Sequence, residues 1–487
     1  MKERREFLKF TLAGVSSLAL PSSIFASSPE GEGYKALVVI YHPGGNDTLN
    51  MFIPSSTDEK TGYPNYRKAR DVLKVKNLDL PLRINNGEVD LTQGNPYSLN
   101  NQLNQAYTKG FYRHEGLDVA TNAVMPEVAH LVNQGEIAII ANCGNIVEPA
   151  TKAEFQAKTK TLPPFLFAHD HQTKLTMNGE AGILDSTGWA GRLADDWSSS
   201  LNAGIYGMNI SVSSNTHMFY GNTTTPLLIN PNGVTSYARL KREIYDEQLN
   251  LEKTNMFQRL YNELRKHSFS MQDTLLSDWN NVDSSFSSKN AYGGELFSYP
   301  SDGQLNQSTP SYTSKTLLLQ LKTVTKLSKI AKSRGISRQI FFVKDEGYDT
   351  HSNQTIHHSK NLRGVSLALG DFNKALKEMG MENEVTTFNI SDFGRSLGSN
   401  GDGTDHGWGS TLFAMGGAVK GGLYGTMPDL TLGGDEDISN KGRLIPSTSM
   451  SQYYGTFLKW FGVDDATMSK ILPELNNFTE KDLGFMG

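Results

Sequence analysis

One stretch decides the fold class: residues 35–47 read KALVVIYHPGGND. Residues 35–41 are mostly apolar and β-branched, which is typical of a strand that is buried on both faces. The run then ends in Gly, Gly, Asn and Asp, which favour a turn and place a carboxylate directly after the strand. The stretch therefore predicts a central strand with polar chemistry at its carboxyl end.

Three further runs of the same kind predict strands at residues 136–142, 339–343 and 385–390. Apolar residues spaced three and four apart precede each of the last two runs, within 317–331 and 361–379, and predict amphipathic helices. Strands that alternate with helices build a parallel sheet with crossover helices. We therefore expect an α/β fold with a central, mostly parallel sheet.

Residues 205–315 differ from the rest of the chain. They are rich in Ser and Asn, carry a charged helical stretch from about 237 to 266, and show no strong buried strand after Leu228. Residues 284–314 have the composition of a long surface loop. We interpret 205–315 as an insertion or cap on an α/β domain that spans residues 27–487.

Composition excludes several classes of protein. The 487 residues are 37% hydrophobic and 20% charged, as in a folded globular chain. A net charge of −5, with no basic run beyond the first ten residues, argues against a nucleic-acid partner. The single cysteine, Cys143, excludes an intramolecular disulfide and a cysteine-rich metal site. A metal ion would therefore be bound by His, Asp and Glu.

The N-terminus has the layout of a twin-arginine signal peptide. Arg4 and Arg5 precede Phe-Leu-Lys and a mildly apolar stretch that runs to Ala26. This stretch is too short and too polar for a stable membrane span, and no later segment is apolar enough for one. We expect residues 1–26 to direct export by the twin-arginine machinery, which predicts a periplasmic or extracellular protein. A cytosolic amphipathic helix is the alternative.

Polar clusters follow three of the four predicted strands. Because the carboxyl ends of parallel strands meet at one edge of a sheet, we expect these clusters to converge there. A glycine-rich loop after the last strand, at residues 403–409, adds a further cluster. Together the clusters supply the candidate ligands Asp47, Asp349, His351, Asp392 and His406.

Carboxylate oxygens and imidazole nitrogens are ligands that Zn²⁺ or Mn²⁺ prefers, so these residues predict a site for one or two divalent metal ions. Two ions would need a bridging carboxylate or water, and Asp405 is a possible sixth ligand. Each cluster alone has a simpler interpretation. Gly-Gly-Asn-Asp is typical of a turn, and Asp349, Thr350 or Asp392 could cap a helix.

Two histidine pairs stand out elsewhere. His169 and His171 flank Asp170, and on an extended segment their imidazoles would lie on one face. An ordinary surface loop is the alternative for that segment. We interpret the second pair, His357 and His358, as surface residues at the start of a helix.

These motifs together resemble those of the bacterial domain-of-unknown-function 1501 family. The resemblance covers nearly the whole mature chain, in the order 44–47, 135–140, 166–169, 188–193, 347–351, 391–395 and 405–409. That family is similar to the alkaline phosphatase and sulfatase superfamily. The resemblance implies a three-layer alkaline-phosphatase-like fold, metal ions on strand-end Asp and His residues, and hydrolysis of phosphate or sulfate esters. It also implies that Asp47 is the metal carboxylate of the first strand.

The chain departs from that pattern at two places. Asp392 stands where the family usually has Glu, and Phe393 follows it where the superfamily often has His. Ala168, directly before His169, occupies a position where relatives often carry Ser. No covalent nucleophile can therefore be assigned from the sequence.

Two functions fit these observations. The first is a metal-dependent hydrolase of small-molecule phosphate, sulfate or related esters, in which His169 or Arg395 acts catalytically by neutralising oxyanion charge. The second is a non-catalytic or accessory protein on the same fold, with a structural or degenerate metal site. Such a protein would bind another protein of the cell envelope.

Overall fold

The computed structural model describes residues 33–92, 101–197, 206–235, 239–250, 255–298 and 312–487. The predicted signal peptide at 1–26 lies outside these ranges, as do residues 299–311 of the predicted surface loop. The described strands are β1 (Lys35–His42), β2 (Phe52–Pro54), β3 (Ile84–Asn85), β4 (Glu88–Val89), β5 (Phe111–Arg113), β6 (Val119–Asn122), β7 (Ile137–Gly144), β8 (Asn209–Ser211), β9 (Leu227–Leu228), β10 (Arg338–Lys344), β11 (Val385–Ser391), β12 (Arg395–Ser399), β13 (Thr404–His406), β14 (Ser410–Met415), β15 (Gly422–Tyr424) and β16 (Thr448–Ser449). The described α-helices are α1 (Tyr63–Arg70), α2 (Asn101–Lys109), α3 (Pro126–Asn133), α4 (Lys152–Ala157), α5 (His169–Asn178), α6 (Trp189–Trp197), α7 (Arg239–Asn250), α8 (Met256–Asn281), α9 (Tyr312–Ser333), α10 (Gln354–Glu378), α11 (Met450–Phe461) and α12 (Asp465–Ile471).

The central sheet has nine strands in the order β15-β7-β14-β11-β1-β10-β8-β9, and β16 also pairs with β7. β14 is antiparallel to both of its neighbours, and the other pairings in this sheet are parallel. The four predicted strands are β1, β7, β10 and β11, each within two residues of its predicted bounds. β1 lies between β10 and β11, with Leu37 opposite both Ile340 and Thr386. The prediction of a mostly parallel sheet is confirmed.

Alternating side chains of β1 divide the core into two layers. Val38 and Ile40 pack with side chains of α3, α9 and α10 on one face of the sheet. Leu37 and Val39 pack with side chains of α6, α11 and α12 on the other face. All four are fully buried, and burial of each contributes about 1.5–3 kcal/mol. The predicted three-layer α/β architecture is therefore confirmed.

Both predicted amphipathic helices are present. α9 and α10 contain the predicted apolar positions except Met379, which caps the end of α10, and both helices begin before the predicted residues. Their apolar side chains, such as Leu321 and Leu369, lie in the same core layer. In the described part of the chain, no helix combines the length and apolarity that crossing a membrane requires.

Residues 205–315, predicted as an insertion or cap, contribute to the sheet as well as to its surroundings. β8 and β9 extend the sheet beyond β10. The predicted helical stretch over 237–266 corresponds to two helices, α7 and α8. Part of the predicted surface loop is buried, because Tyr292 and Phe297 pack in the core and the Phe297 N–H donates to buried Asp371 at 2.7 Å. The division of the chain at 205 and 315 stays a prediction.

Candidate metal centre

The loop after β1 binds the side chain of Asp392. The backbone N–H groups of Gly44 and Gly45 donate to Asp392 Oδ1 at 3.0 and 2.8 Å. Their φ angles are +108° and +82°, which residues with a side chain rarely adopt. A Cβ on Gly44 would also lie 2.4 Å from the backbone nitrogen of Asp349. The Gly-Gly pair thus allows the ends of β1, β10 and β11 to approach one another closely.

Asp392 in turn orients His169. Its Oδ2 lies 2.5 Å from His169 Nδ1, and this hydrogen bond raises the pKa of His169. His169 begins α5 rather than an extended segment, so the prediction that His171 shares its face was wrong. The helical turn directs His171 elsewhere, and its ring packs on Phe165 with 4.1 Å between centroids. With Nδ1 engaged, the buried Nε2 of His169 has no hydrogen-bond partner in the described structure.

Three imidazole Nε2 atoms converge on one carboxylate, that of Asp349. His351 Nε2 and His406 Nε2 lie 3.0 and 3.3 Å from Asp349 Oδ1 and 2.9 Å from each other. His169 Nε2 lies 3.5 Å from Asp349 Oδ2. Ligand atoms about 2.0–2.1 Å from a tetrahedral zinc ion are about 3.3–3.4 Å apart. The donor set and its spacing therefore fit one divalent ion.

The Nδ1 atoms of His406 and His351 also face hydrogen-bond acceptors. His406 Nδ1 donates to the backbone carbonyl of Phe167 at 2.8 Å, and His351 Nδ1 lies 3.5 Å from Asp405 Oδ1. A partner at Nδ1 fixes the ring and leaves the Nε2 lone pair available to a metal ion. Phe167 has a φ of 71°, a strained conformation of the kind that clusters at functional sites. Asp405, predicted as a possible sixth ligand, lies beside the candidate ligand His351 instead.

Arg395 forms an ion pair with Asp349. Its side chain is fully buried, and Nη1 donates to Asp349 Oδ1 at 2.6 Å and to the Gly44 carbonyl at 3.0 Å. Nε and Nη2 donate to the hydroxyl and carbonyl of Thr404. Burial alone would raise the pKa of Asp349, but the hydrogen bond and charge of Arg395 outweigh it and lower the pKa. All three guanidinium nitrogens have acceptors, so this contact positions Asp349; the oxyanion role of Arg395 stays a prediction.

Asp47 lies apart from the imidazoles, in a buried ion pair. Its Oδ1 accepts from Arg70 Nη2 at 2.6 Å and its Oδ2 accepts from Gln354 Nε2. Asp47 is only 1% exposed and Arg70 is fully buried. Both carboxylate oxygens are therefore bonded to N–H donors, and Asp47 does not reach the cluster. No sequence signal pointed to Arg70, because this pair depends on how α1 packs in the tertiary structure.

The buried region around Asp47 also contains a histidine. His358, predicted as a surface residue, is fully buried. Its Nε2 lies 2.8 Å from Asn46 Oδ1 and its Nδ1 lies 2.9 Å from the Tyr107 hydroxyl. The prediction was wrong for His358, whose side of α10 packs against the loop after β1, whereas the neighbouring His357 is exposed as predicted.

A cleft of about 600 Å³ opens beside the cluster and is lined in part by His169, Asp349 and Asp392. Lys174, Lys344 and Asp170 add charges of both signs to its wall, and Lys344 forms an ion pair with Glu346 at 2.6 Å. Met177 and Phe342 add apolar surface. Residue 168, where a hydroxyl nucleophile would precede His169, is alanine. The cleft therefore places charges of both signs and apolar surface beside the candidate metal centre.

Fold and cluster together define an α/β protein with a candidate metal centre at the carboxyl edge of its sheet. Three of the five predicted ligands, Asp349, His351 and His406, meet there with His169, while Asp392 lies behind His169 and Asp47 lies apart. Residues 34–468 match the model of a family described as "Protein of unknown function (DUF1501)". The chain belongs to that family.

Similarity to characterised proteins is slight. No curated protein matches the chain. Among solved structures, the integral membrane protein lipooligosaccharide phosphoethanolamine transferase A (EptA) from Neisseria meningitidis is similar, at 10% identity and a TM-score of 0.32. The match covers 92% of this chain and 60% of that one, so this chain spans about three fifths of its length. A similarity of this degree carries no argument about the site.

Proposed function

We propose that this chain is an exported, metal-dependent hydrolase of phosphate, sulfate or related esters. One observation carries the proposal: three imidazole Nε2 atoms and the Asp349 carboxylate converge beside a cleft, with the other nitrogen of each ring facing an acceptor. That pattern is typical of histidines that bind metal ions. Lys174 in the cleft wall suits an anionic ester.

One metal ion fits the donor set better than two. His169, Asp349 and His406 offer ligand atoms that all lie within 4.8 Å of one another, and imidazole ligands favour zinc over manganese. Asp392, which a second ion would need, already accepts hydrogen bonds from Gly44, Gly45 and His169. When bound, a zinc ion would polarise an ester oxygen and lower the pKa of a water molecule.

The role of His351 decides whether the site is catalytic or structural. His351 contacts Asp349 and His406 but is 44% exposed, more than the other two imidazoles. Catalytic zinc sites have three protein ligands and an open position, whereas structural sites have four. We propose that His169, Asp349 and His406 hold the ion. His351 Nε2 would then move the proton that ester hydrolysis requires.

The alternative is a non-catalytic protein in which His351 is the fourth ligand of a closed, structural site. Ala168 favours this alternative, because the chain offers no hydroxyl at the expected position of a covalent nucleophile. The two functions differ in what a His351→Ala variant does. A hydrolase variant would keep its metal and lose activity, whereas a structural site would lose its metal.

The experiment begins with elemental analysis of protein exported through its own signal, followed by assays on aryl phosphate and aryl sulfate esters. We expect about one zinc ion per chain and metal-dependent hydrolysis. His406→Ala should lose both, while His171→Ala, a histidine of α5 outside the cluster, should keep both. A wild-type protein without bound metal, which hydrolyses no ester after zinc is added, would refute the proposal.

Export is tested separately. Replacing Arg4 and Arg5 by Lys should leave the protein in the cytoplasm with its signal uncleaved. An unchanged yield outside the cytoplasm would remove the twin-arginine part of the proposal and leave the metal site unaffected.

A further inference from the structure

A second concave surface, outside the candidate metal centre, has five cations among its twelve described lining residues. This basic groove has a volume of about 1,120 Å³ and carries Arg67, Lys68, Lys74, Lys76 and Arg113. Glu59 is the one acidic residue among the described residues that line it. Such a concentration of positive charge contrasts with the net charge of −5 of the whole chain.

Two segments that form the groove are tied together. α1 buries Tyr66 and Arg70, which leaves Arg67 and Lys68 exposed on its other face. The following segment buries Val75 and exposes Lys74 and Lys76 on either side of it, as expected when side chains alternate along an extended backbone. The Tyr63 hydroxyl, at the start of α1, donates to the Val75 carbonyl at 2.7 Å. The two segments that carry these pairs of cations are therefore joined side by side.

Arg113 is the last residue of β5, and two hydrogen bonds hold its guanidinium in place. Its Nη1 donates to the Ser55 carbonyl at 3.1 Å and its Nη2 donates to Asn77 Oδ1 at 2.6 Å. Both acceptors of the guanidinium are neutral, and the Asp79 carboxylate accepts from the backbone N–H of Arg113 at 3.2 Å. The structure shows no ion pair for the other four cations within its described ranges. A concave surface with several uncompensated cations attracts anions strongly.

We propose that the basic groove binds an anionic polysaccharide through its sulfate or carboxylate groups. The cations are spread along two segments rather than gathered around one point, which suits a chain with repeated charges better than a single small anion. Tyr63, the aromatic residue among the described lining residues, packs against Tyr66 and Phe111. One partly buried ring is a small surface for stacking, whereas proteins that bind single-stranded nucleic acids stack successive bases on several aromatic side chains.

The test measures binding of the full chain to heparin, polygalacturonate and neutral dextran by titration calorimetry at physiological salt. We expect heparin or polygalacturonate to bind and dextran not to bind; the first two distinguish sulfate from carboxylate as the recognised group. Lys74→Glu with Lys76→Glu should weaken binding at least about tenfold, because two attractive charges become repulsive.

The matched control is Lys322→Glu with Lys329→Glu, which changes the net charge equally on the exposed face of α9. It should bind like the wild type. Lys74→Ala with Lys76→Ala should also weaken binding. Thermal unfolding of this variant and of the wild type shows whether the loss comes from a folding defect. Equal losses in the groove and control variants, no binding of either polyanion, or tighter binding of single-stranded DNA would each overturn the proposal.

Discussion

Asp47 and Asp349 show how two similar sequence positions acquire different roles. Each is a carboxylate that follows a central strand, and β1 and β10 are parallel neighbours. Asp47 is buried and paired with Arg70, whereas Asp349 is 45% exposed and faces three imidazoles. The strand end brings both residues to the same edge of the sheet. Side chains from other elements decide which one is an ion-pair partner and which one is a candidate ligand.

The two regions are connected by hydrogen bonds. Gln354 donates to Asp47 and accepts from the Thr404 hydroxyl at 2.8 Å. The same hydroxyl accepts from Arg395 Nε at 3.1 Å, and Arg395 bonds Asp349 at 2.6 Å. The buried region therefore forms the support for the arginine that positions Asp349. Because of this connection, stability and metal affinity must be measured in the same variants.

The largest expected effect is on stability, from breaking the buried ion pair. Arg70→Met leaves Asp47 as an unpaired buried charge, which typically costs about 3–5 kcal/mol. We expect that loss in the free energy of unfolding, measured with urea. A double variant, Arg70→Met with Asp47→Asn, should recover much of it because the charge is gone. Wild-type stability in the single variant would show that the pair contributes nothing.

The next effect is on metal affinity and tests the comparison directly. Asp349→Asn and Asp47→Asn make the same chemical change at the two strand ends. Asp349→Asn should weaken zinc binding by about 100-fold or more, since losing even a partner of a ligand costs about 10–100-fold. Asp47→Asn should keep its zinc affinity within a few-fold and instead lose stability, because buried Arg70 is left unpaired.

Isothermal titration with zinc and thermal unfolding with and without chelator measure these two variants. Chelator should lower the melting temperature of the wild type and of Asp47→Asn, and should have little effect on Asp349→Asn. If Asp47→Asn lost zinc as completely as Asp349→Asn, the two carboxylates would belong to one metal site after all.

A smaller effect is expected from the residue behind His169. Asp392→Asn keeps an oxygen for the N–H groups of Gly44 and Gly45 but removes the charge that holds the His169 ring. We expect zinc affinity to fall about 10–100-fold. Unfolding of the metal-free protein serves as the control and should change little. An affinity equal to that of the wild type would show that Asp392 does not orient a ligand.

The central strands were predictable because burial on both faces leaves a local signature of apolar and β-branched residues. The edge position of the clusters then followed from parallel strand topology alone. The antiparallel insertion of β14 between β7 and β11 left no such signature. Two contacts also left no signature in the sequence, because both depend on tertiary packing: the pairing of Asp47 with Arg70, and the hydrogen bond from His406 to the backbone carbonyl of Phe167.

Another strand-end carboxylate, Asp345, extends the comparison to a group for which the described residues supply no Lys or Arg partner. It is 1% exposed and accepts from the Tyr348 hydroxyl at 2.6 Å. His42 lies 3.9 Å away, but burial lowers its pKa to about 3, so it is neutral. Burial raises the pKa of Asp345 to about 7, whereas an aspartate in the unfolded chain titrates near pH 4.

Asp345 should therefore make stability depend on pH. Between about pH 4 and 7 the folded protein keeps a proton that the unfolded chain has released, so stability falls as the pH rises, by up to about 1.4 kcal/mol per pH unit. Asp345→Asn removes this contribution. In urea unfolding at pH 5, 6, 7 and 8, the wild type should lose stability relative to the variant up to about pH 7, after which the difference should be constant. A constant difference from pH 5 to 7 would mean that Asp345 is ionised in the folded protein, and its burial would then need a compensating cation as that of Asp47 does.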